Sequence, residues 1–163
     1  SYGMTETISH IAIKQIGEKE FTVLPNVSIS LDERNCLVIE ALELSKDKII
    51  TNDIVEILNE SQFILKGRID NVINSGGVKI FPEEVEEKLA EYISERYFIA
   101  SRLDEKFGEK LILVVEAKPF EIENNIFLGL TKYQIPKEII FVEKFVETET
   151  NKINRKKTLE NRA

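Results

Sequence analysis

The segment Gly67–Glu86 constrains this chain more than any other stretch, because it places a glycine pair directly before a helix-start signal. Pro82 suits the first turn of a helix, where its missing N–H would have had no partner. Glu83 and Glu84, which follow, complement the positive end of the helix dipole. Upstream, Gly76-Gly77 gives the backbone freedom and lets a ligand or another chain come close, although a plain turn is the alternative. The segment predicts a turn and then a helix that begins near Pro82.

Length and charge limit the kind of protein this can be. A chain of 163 residues can form one ordinary domain or two small ones. The formal net charge of −7 argues against nucleic acid as a partner, because phosphate backbones bind basic surfaces. We expect a cytoplasmic protein without a membrane partner, since the sequence has no bilayer-length apolar run and no secretion signal. The single cysteine, Cys36, lies among apolar residues, which indicates a buried side chain rather than a nucleophile.

Short β-rich runs separated by polar breaks fill residues 8–66. The runs are Ile11 to Ile16, Phe21 to Leu24, Val27 to Leu31, Cys36 to Leu42, Ile54 to Leu58 and Phe63 to Leu65. Their spacing is typical of antiparallel strands, and we expect a barrel-like β subdomain over residues 1–66. His10, beside the first run, is expected to be structural or to face solvent.

After residue 66 the pattern changes to alternating helices and strands. Val85, Leu89 and Ile93 give the helix that begins at Pro82 an apolar stripe. The other predicted elements are strands near Tyr97–Leu103, Leu111–Ala117 and Ile139–Val142, and a helix across Ile122, Ile126 and Leu130. The fold class is therefore expected to be α+β, with the β subdomain followed over residues 67–163 by a small α+β domain.

Four motifs follow one another along the chain. They are Tyr2-Gly3-Met4-Thr5-Glu6, Thr51-Asn52-Asp53, Gly67-Arg68-Ile69-Asp70 with its glycine loop and acidic helix start, and Thr148–Arg155. In this order they resemble the motifs of the acyl- and aryl-adenylating enzyme superfamily, which includes acyl-CoA synthetases, luciferases and the adenylation domains of peptide synthetases. Asn52 and Asn151 stand where the family pattern has glycine. We expect the change at Asn52 to be mild, because asparagine tolerates the left-handed backbone better than most residues.

The resemblance implies a nucleotide site. Tyr2 would lie against the adenine of ATP or AMP, Thr5 would reach the α-phosphate, and Glu6 would hold Mg²⁺, a cation that prefers oxygen ligands. Asp53 would accept hydrogen bonds from both ribose hydroxyls, and Arg68 would add a donor. The alternatives are a flexible polar N-terminus and an ordinary surface aspartate and arginine.

The resemblance also implies residues that act in catalysis and domain motion. Lys152 would be a mobile catalytic lysine that acts with Thr5, and Asp70 would be the hinge between the domains. Gly76 and Gly77 would line the tunnel for the pantetheine arm of CoA. For the basic tail, the start of a solvated helix is the alternative.

The implied activity is that of an ATP-dependent acid–CoA ligase. A small carboxylic acid and ATP would give an acyl-adenylate and pyrophosphate, and CoA would then give the thioester and AMP. In the family the phosphate loop lies far upstream of the first motif. We therefore expect a C-terminal part of a larger enzyme, which works with a missing N-terminal domain and is inactive alone. The alternatives are a fatty or aryl acid–CoA ligase, a peptide-synthetase adenylation domain and a non-catalytic binding module.

Overall fold

The computed structural model describes residues 1–42 and 45–161. The chain forms two compact units, Ser1–Asp70 and Asn71–Ala163. The sequence places the domain division between residues 66 and 67, with a hinge near Asp70. This division describes domains that move relative to each other, and it stays a prediction.

Antiparallel strands build the first unit. They are β1 (Tyr2–Gly3), β2 (His10–Ile13), β3 (Glu20–Val23), β4 (Ser28–Leu31), β5 (Cys36–Glu40), β6 (Ile49–Asn59) and β7 (Gln62–Arg68). Their order in the sheet is β1-β2-β3-β7-β6-β5-β4, and each neighbouring pair is antiparallel. The antiparallel β subdomain is confirmed. The described strands form an open sheet rather than a closed barrel, because β1 and β4 lie at opposite edges.

The core of the first unit is aliphatic and aromatic. Its fully buried members include Ile11, Leu37, Ile39 and Phe63. The Phe21 ring stacks on Phe63 with 5.4 Å between the ring centroids. Cys36 is fully buried, as predicted, and burial raises the pKa of its thiol. His10 is exposed to solvent.

The second unit is a sheet with two short helices. Its elements are β8 (Ile73–Ser75), β9 (Val78–Ile80), α1 (Pro82–Leu89), β10 (Tyr97–Asp104), β11 (Gly108–Glu116), β12 (Glu138–Val142) and α2 (Arg155–Glu160). Strand β11 is central, because it pairs antiparallel with β10 and β8 and parallel with β12. Since successive side chains of a strand point to opposite faces, β11 contributes to two cores. Leu111 and Leu113 join a cluster with α1, and Ile112 joins a second cluster with Phe145.

Helix α1 begins at Pro82, as the sequence predicts. Val85 and Leu89 are fully buried, and they supply the apolar stripe. Ile93 is also buried, although it lies beyond the helix end at Leu89. No helix among the described residues has the length and apolar character that crossing a bilayer needs.

The helix predicted across Ile122, Ile126 and Leu130 is wrong. The structure has a single 3₁₀ turn there, Asn124–Phe127. The two asparagines in this turn and Gly129 just beyond it are poor helix formers. The apolar side chains pack against the core of the second unit without a helix to carry them.

The glycine pair forms the turn of a β-hairpin. Ser75 pairs with Val78 across strands β8 and β9, which leaves Gly76 and Gly77 as a two-residue connection. Their φ angles are 59° and 81°. Positive φ at both positions is what a type I′ hairpin turn requires, and glycine adopts it without steric cost.

Candidate functional site

Tyr2, Asp53 and Arg68 meet on the sheet of the first unit. Strands β6 and β7 place Asp53 opposite Arg68. The Tyr2 hydroxyl donates a hydrogen bond of 2.5 Å to Asp53 Oδ2, and Arg68 Nη1 lies 3.9 Å from Asp53 Oδ1. The Asp53 side chain is 14% exposed, so its carboxylate is sheltered but can still accept hydrogen bonds from a ligand.

The surroundings of Tyr2 fix both ends of its side chain. Its ring packs edge-on against Phe21 and Phe63, with centroid distances of 5.8 and 5.4 Å. Burial, together with the hydrogen bond to Asp53, raises the pKa of the Tyr2 hydroxyl, which therefore stays protonated at neutral pH. The contact with an adenine stays a prediction. The sequence interpretation missed that Tyr2 orients the Asp53 carboxylate.

Asn52 lies inside β6 and links two charged groups. Its Oδ1 accepts a hydrogen bond of 3.0 Å from Arg34 Nη1, and its Nδ2 donates one of 3.2 Å to Asp70 Oδ2. Arg68 Nη2 lies 3.2 Å from the same oxygen of Asp70. The expected left-handed backbone at Asn52 is wrong, because the residue continues the strand. Sequence reasoning gave Arg34 no role, since its partner Asn52 is 18 positions away in sequence.

A short loop presents Thr5 and Glu6. Both residues are exposed in the 3₁₀ turn Thr5–Thr7. Thr7 is fully buried, and its hydroxyl accepts a hydrogen bond from the Met4 N–H at 3.1 Å and lies 2.6 Å from the Ser9 carbonyl oxygen. Thr7, which the sequence interpretation left without a role, therefore shapes this loop.

Gly3 closes the same loop against β2. A Cβ atom on Gly3 would lie 2.6 Å from His10 Cα and 2.6 Å from the Ser9 carbonyl oxygen. A side chain at this position would therefore collide with backbone atoms that cannot move aside easily. Packing by itself therefore requires glycine at position 3.

Lys152 ends a tight loop in the second unit. The Thr148 N–H donates to the Lys152 carbonyl at 2.8 Å, and the Lys152 N–H donates to Thr148 Oγ1 at 3.2 Å. Asn151 has a φ of 57°, which is the left-handed conformation that the family glycine would adopt. Lys152 is exposed, and its ammonium group has no hydrogen-bond or ion-pair partner within residues 1–42 and 45–161.

Arg155 fastens this loop to the rest of the unit. Its guanidinium makes two contacts with Glu86, Nη1 to Oε1 at 2.9 Å and Nη2 to Oε2 at 3.0 Å. Nη1 also donates to the Ile99 carbonyl at 3.1 Å, and the group lies 5.6 Å from the centroid of the Phe98 ring. Burial raises the pKa of the Glu86 carboxyl, and Arg155 only partly opposes this effect. Lys152 is thus three residues from an anchored side chain.

A cavity of about 260 Å³ lies beside the glycine turn. It is lined in part by Lys110, Lys132, Lys137, Phe107 and Tyr133. The Gly76 N–H donates to the Phe107 carbonyl at 2.8 Å, which ties the turn to the cavity wall. Lys110 is paired with Glu138 at 3.1 Å, while Lys132 lies over the Tyr133 ring at 4.8 Å. The cavity therefore offers positive charge together with aromatic surface.

The predicted site residues divide between the two units. Tyr2, Asp53, Arg68 and Asp70 form one hydrogen-bonded and ionic cluster in the first unit, with Thr5 and Glu6 on a loop of that unit. The second unit holds Lys152 and the glycine turn. Their roles stay predictions at this point.

Known proteins resemble the chain over part of their length. No family model matches. The vibriobactin-specific 2,3-dihydroxybenzoate-AMP ligase of Vibrio cholerae is 36% identical over 115 residues, which cover 65% of this chain and 21% of that protein. The 2-succinylbenzoate–CoA ligase of Listeria monocytogenes is 27% identical over 186 aligned positions, covering 98% of this chain and 40% of that protein. The chain thus spans less than half the length of either relative.

A solved structure has the same fold. The o-succinylbenzoate coenzyme A synthetase from Bacillus subtilis, in complex with ATP and magnesium ion, matches with a TM-score of 0.80. The match covers 98% of this chain and 40% of that one, at 21% sequence identity. This likeness confirms the α+β class with its antiparallel sheet.

Proposed function

We propose, on the premise that this chain belongs to the acyl- and aryl-adenylating enzyme superfamily, that it is the C-terminal part of an AMP-forming acid–CoA ligase. The observation that carries the proposal is the Asp53 carboxylate, sheltered and oriented by Tyr2 and placed opposite Arg68. A carboxylate that can accept two hydroxyl donors, next to an arginine cation, suits the ribose of ATP.

The first half-reaction joins two anions, so it needs positive charge at the point of attack. The carboxylate of the acid attacks the α-phosphorus of ATP, and pyrophosphate leaves. The exposed ammonium group of Lys152 would offset the repulsion between carboxylate and phosphate and the charge that develops between them. The Thr5 hydroxyl would donate to the α-phosphate.

Glu6 suits a magnesium ion that the nucleotide helps to hold. The described residues contain no group of three or more metal-ligating side chains, and Glu6 is exposed on its loop. Magnesium is commonly held by one or two carboxylates together with substrate phosphates, so a single glutamate fits this arrangement. When bound, the ion neutralises charge on the leaving pyrophosphate.

The second half-reaction transfers the acyl group to the thiol of CoA, and AMP leaves. The proposal assigns the change between the half-reactions to rotation about Asp70. Gly76 and Gly77 would line the passage of the pantetheine arm, because a turn without side chains leaves room for it. The cavity beside this turn supports CoA as the thiol, since lysines such as Lys132 and Lys137 suit phosphate groups and aromatic rings suit an adenine.

We propose o-succinylbenzoate as the acid, and a role in menaquinone biosynthesis for the full-length enzyme. The sequences of Tyr2–His10 and Ser75–Pro82, and the shortened segment before Thr51-Asn52-Asp53, resemble those of o-succinylbenzoate–CoA ligases. The Listeria relative supports this choice because its similarity extends over nearly the whole chain. The second candidate for the acid is 2,3-dihydroxybenzoate. The Vibrio relative has a higher sequence identity than the Listeria relative, although over a shorter stretch.

ATP–pyrophosphate exchange by the full-length protein tests the proposal. The panel contains o-succinylbenzoate, 2,3-dihydroxybenzoate and a long-chain fatty acid, and exchange with o-succinylbenzoate followed by CoA thioester formation is the expected result. Exchange without transfer to CoA would favour an aryl adenylation enzyme that uses another thiol. If none of the acids supports exchange, a non-catalytic binding module is favoured.

A further inference from the structure

We propose that Asn52 is a positioning residue that holds the side chain of Asp70 next to the ribose-binding pair Asp53 and Arg68. The inference rests on the proposed function, because Asp70 is there the hinge of an enzyme with two half-reactions. The family pattern has glycine at this position. The link is therefore a property of this chain rather than of the motif.

The amide of Asn52 is chemically suited to a bridge between opposite charges. A guanidinium group offers donors alone, and an ionised carboxylate offers acceptors alone. Asn52 meets Arg34 with its acceptor oxygen at 3.0 Å and Asp70 with its donor nitrogen at 3.2 Å. Each end of the amide is thereby matched, and a flipped amide would mismatch both ends.

Arg34 is itself held in place, so it fixes the orientation of the amide. Its Nε donates to Asp32 Oδ2 at 2.8 Å, and its Nη2 donates to the Thr51 carbonyl at 3.0 Å. Asp32 in turn accepts hydrogen bonds from the backbone N–H groups of Arg34 and Cys36 at 2.8 and 2.9 Å. The bridge therefore starts from a turn that several hydrogen bonds hold together.

Asp70 receives its hydrogen bonds on one oxygen. Within the described residues, Oδ2 accepts from Asn52 and from Arg68, each at 3.2 Å. Arg68 also faces Asp53 at 3.9 Å. When a ribose draws the guanidinium of Arg68 toward it, Asn52 is the donor that stays on Asp70. Asn52 thus restrains the residue about which the proposed rotation occurs.

The test compares two half-reactions in the full-length protein. Asn52→Gly removes the bridge and restores the family residue. We expect the rate of thioester formation from supplied acyl-adenylate, divided by the rate of ATP–pyrophosphate exchange, to rise about threefold to tenfold, which is the range for the net loss of one solvent-exposed hydrogen bond. A merely structural loss would lower both rates together. A ratio that is unchanged or lower overturns the proposal.

A double variant tests whether Asn52 acts through Asp70. In an Asp70→Ala background, Asn52→Gly should change the ratio no further, because the bridge has lost its far end. An equal additional rise in that background overturns the assignment. Asn59→Gly, at the far end of the same strand, is the matched control and should leave the ratio as it is.

Hydrogen exchange on the 163-residue chain gives a readout that does not depend on activity. The Asp70 and Asn71 amides should exchange faster in Asn52→Gly than in the parent chain or in Asn59→Gly. If the parent full-length protein shows no pyrophosphate exchange, the proposed function fails while this measurement still decides the restraint. Equal exchange rates in all three chains overturn the restraint itself.

Discussion

Arg155 and Glu86 form a two-pronged ion pair between the two helices of the second unit, α2 and α1. The pair also meets β10, since Ile99 donates its N–H to Glu86 at 2.7 Å and accepts a hydrogen bond from Arg155. Both side chains are largely buried, at 28% and 20% exposed. Because Lys152 is only three residues from Arg155, this pair limits where the lysine loop can move.

We predict that Arg155→Met lowers both stability and adenylation. Loss of the charged hydrogen bonds should reduce the free energy of unfolding of the second unit by about 2 kcal/mol. Pyrophosphate exchange at a temperature where the variant is folded should still fall, because Lys152 is no longer anchored. Urea unfolding and exchange assays measure the two effects.

Lys156→Met is the control for this variant. Lys156 is the neighbour of Arg155, its side chain is 87% exposed, and its ammonium group lies 3.9 Å from Glu160. Removing so exposed a pair should change stability by less than about 0.5 kcal/mol. If Lys156→Met and Arg155→Met lose activity equally, the anchoring role of Arg155 is wrong.

The raised pKa of Glu86 predicts a pH dependence of stability. The folded chain binds the Glu86 proton more tightly than the unfolded chain does, because burial disfavours the carboxylate. The contribution of Glu86 to the free energy of unfolding therefore falls as pH rises from the usual glutamate pKa through the raised one.

Glu86→Gln removes this titration and serves as the reference. Urea unfolding, followed by NMR signals of the second unit, is measured for both chains at a series of pH values from the usual glutamate pKa to neutrality. The free energy of unfolding of the parent minus that of the variant should decrease as pH rises. A difference that stays level or increases would contradict the direction of the pKa shift.

Gly77→Leu should separate the two half-reactions. A leucine at a φ of 81° strains the turn and adds bulk where the pantetheine arm would pass. We expect thioester formation to fall at least about tenfold more than pyrophosphate exchange. Gly17→Leu is the matched control. Gly17 has a φ of 91° and open space around it, so a leucine there introduces a similar backbone strain in the first unit. If Gly77→Leu slows both half-reactions equally, Gly77 does not line the passage of the pantetheine arm.

The lysine-lined cavity predicts a distinction between CoA and pantetheine. Lys137→Glu should raise the KM for CoA about tenfold, the factor that about 1.4 kcal/mol of lost interaction gives. The KM for pantetheine, which lacks the nucleotide, should stay the same. Lys118→Glu makes the same charge change at an exposed position outside the cavity lining. If CoA and pantetheine are affected alike, the cavity does not hold the nucleotide.

Local patterns in the sequence were sufficient for much of the fold. The β-rich runs and the proline with its acidic followers depend on neighbours in sequence, and the corresponding strands and helix α1 are present. The predicted strand Ile54–Leu58 begins earlier, at Ile49, so that Asn52 and Asp53 lie within β6. Asparagine and aspartate are uncommon in strands. Here their side chains are satisfied by Arg34 and Tyr2 across the sheet.

The contacts that orient the site depend on distant residues, and sequence alone could not supply them. Arg155 and Glu86 are 69 positions apart, and Tyr2 and Asp53 are 51 apart. All four residues lie within the motif segments that the sequence analysis identified, but the pairing follows from packing of separate elements. Thr7 was missed for a different reason: its partners Met4 and Ser9 are close in sequence, but its buried hydroxyl matters only once the loop has closed.

The measurement that tests the account most directly is a comparison of Lys152→Ala with the parent full-length protein in both half-reactions. ATP–pyrophosphate exchange should fall about 10²-fold to 10³-fold, as expected when one preorganised charge that stabilises the transition state is lost. Conversion of supplied acyl-adenylate and CoA to the thioester should be largely unchanged, because Lys152 is needed only where carboxylate meets phosphate. Equal damage to both half-reactions would contradict the assignment of Lys152, and unchanged exchange would contradict the proposed adenylation mechanism.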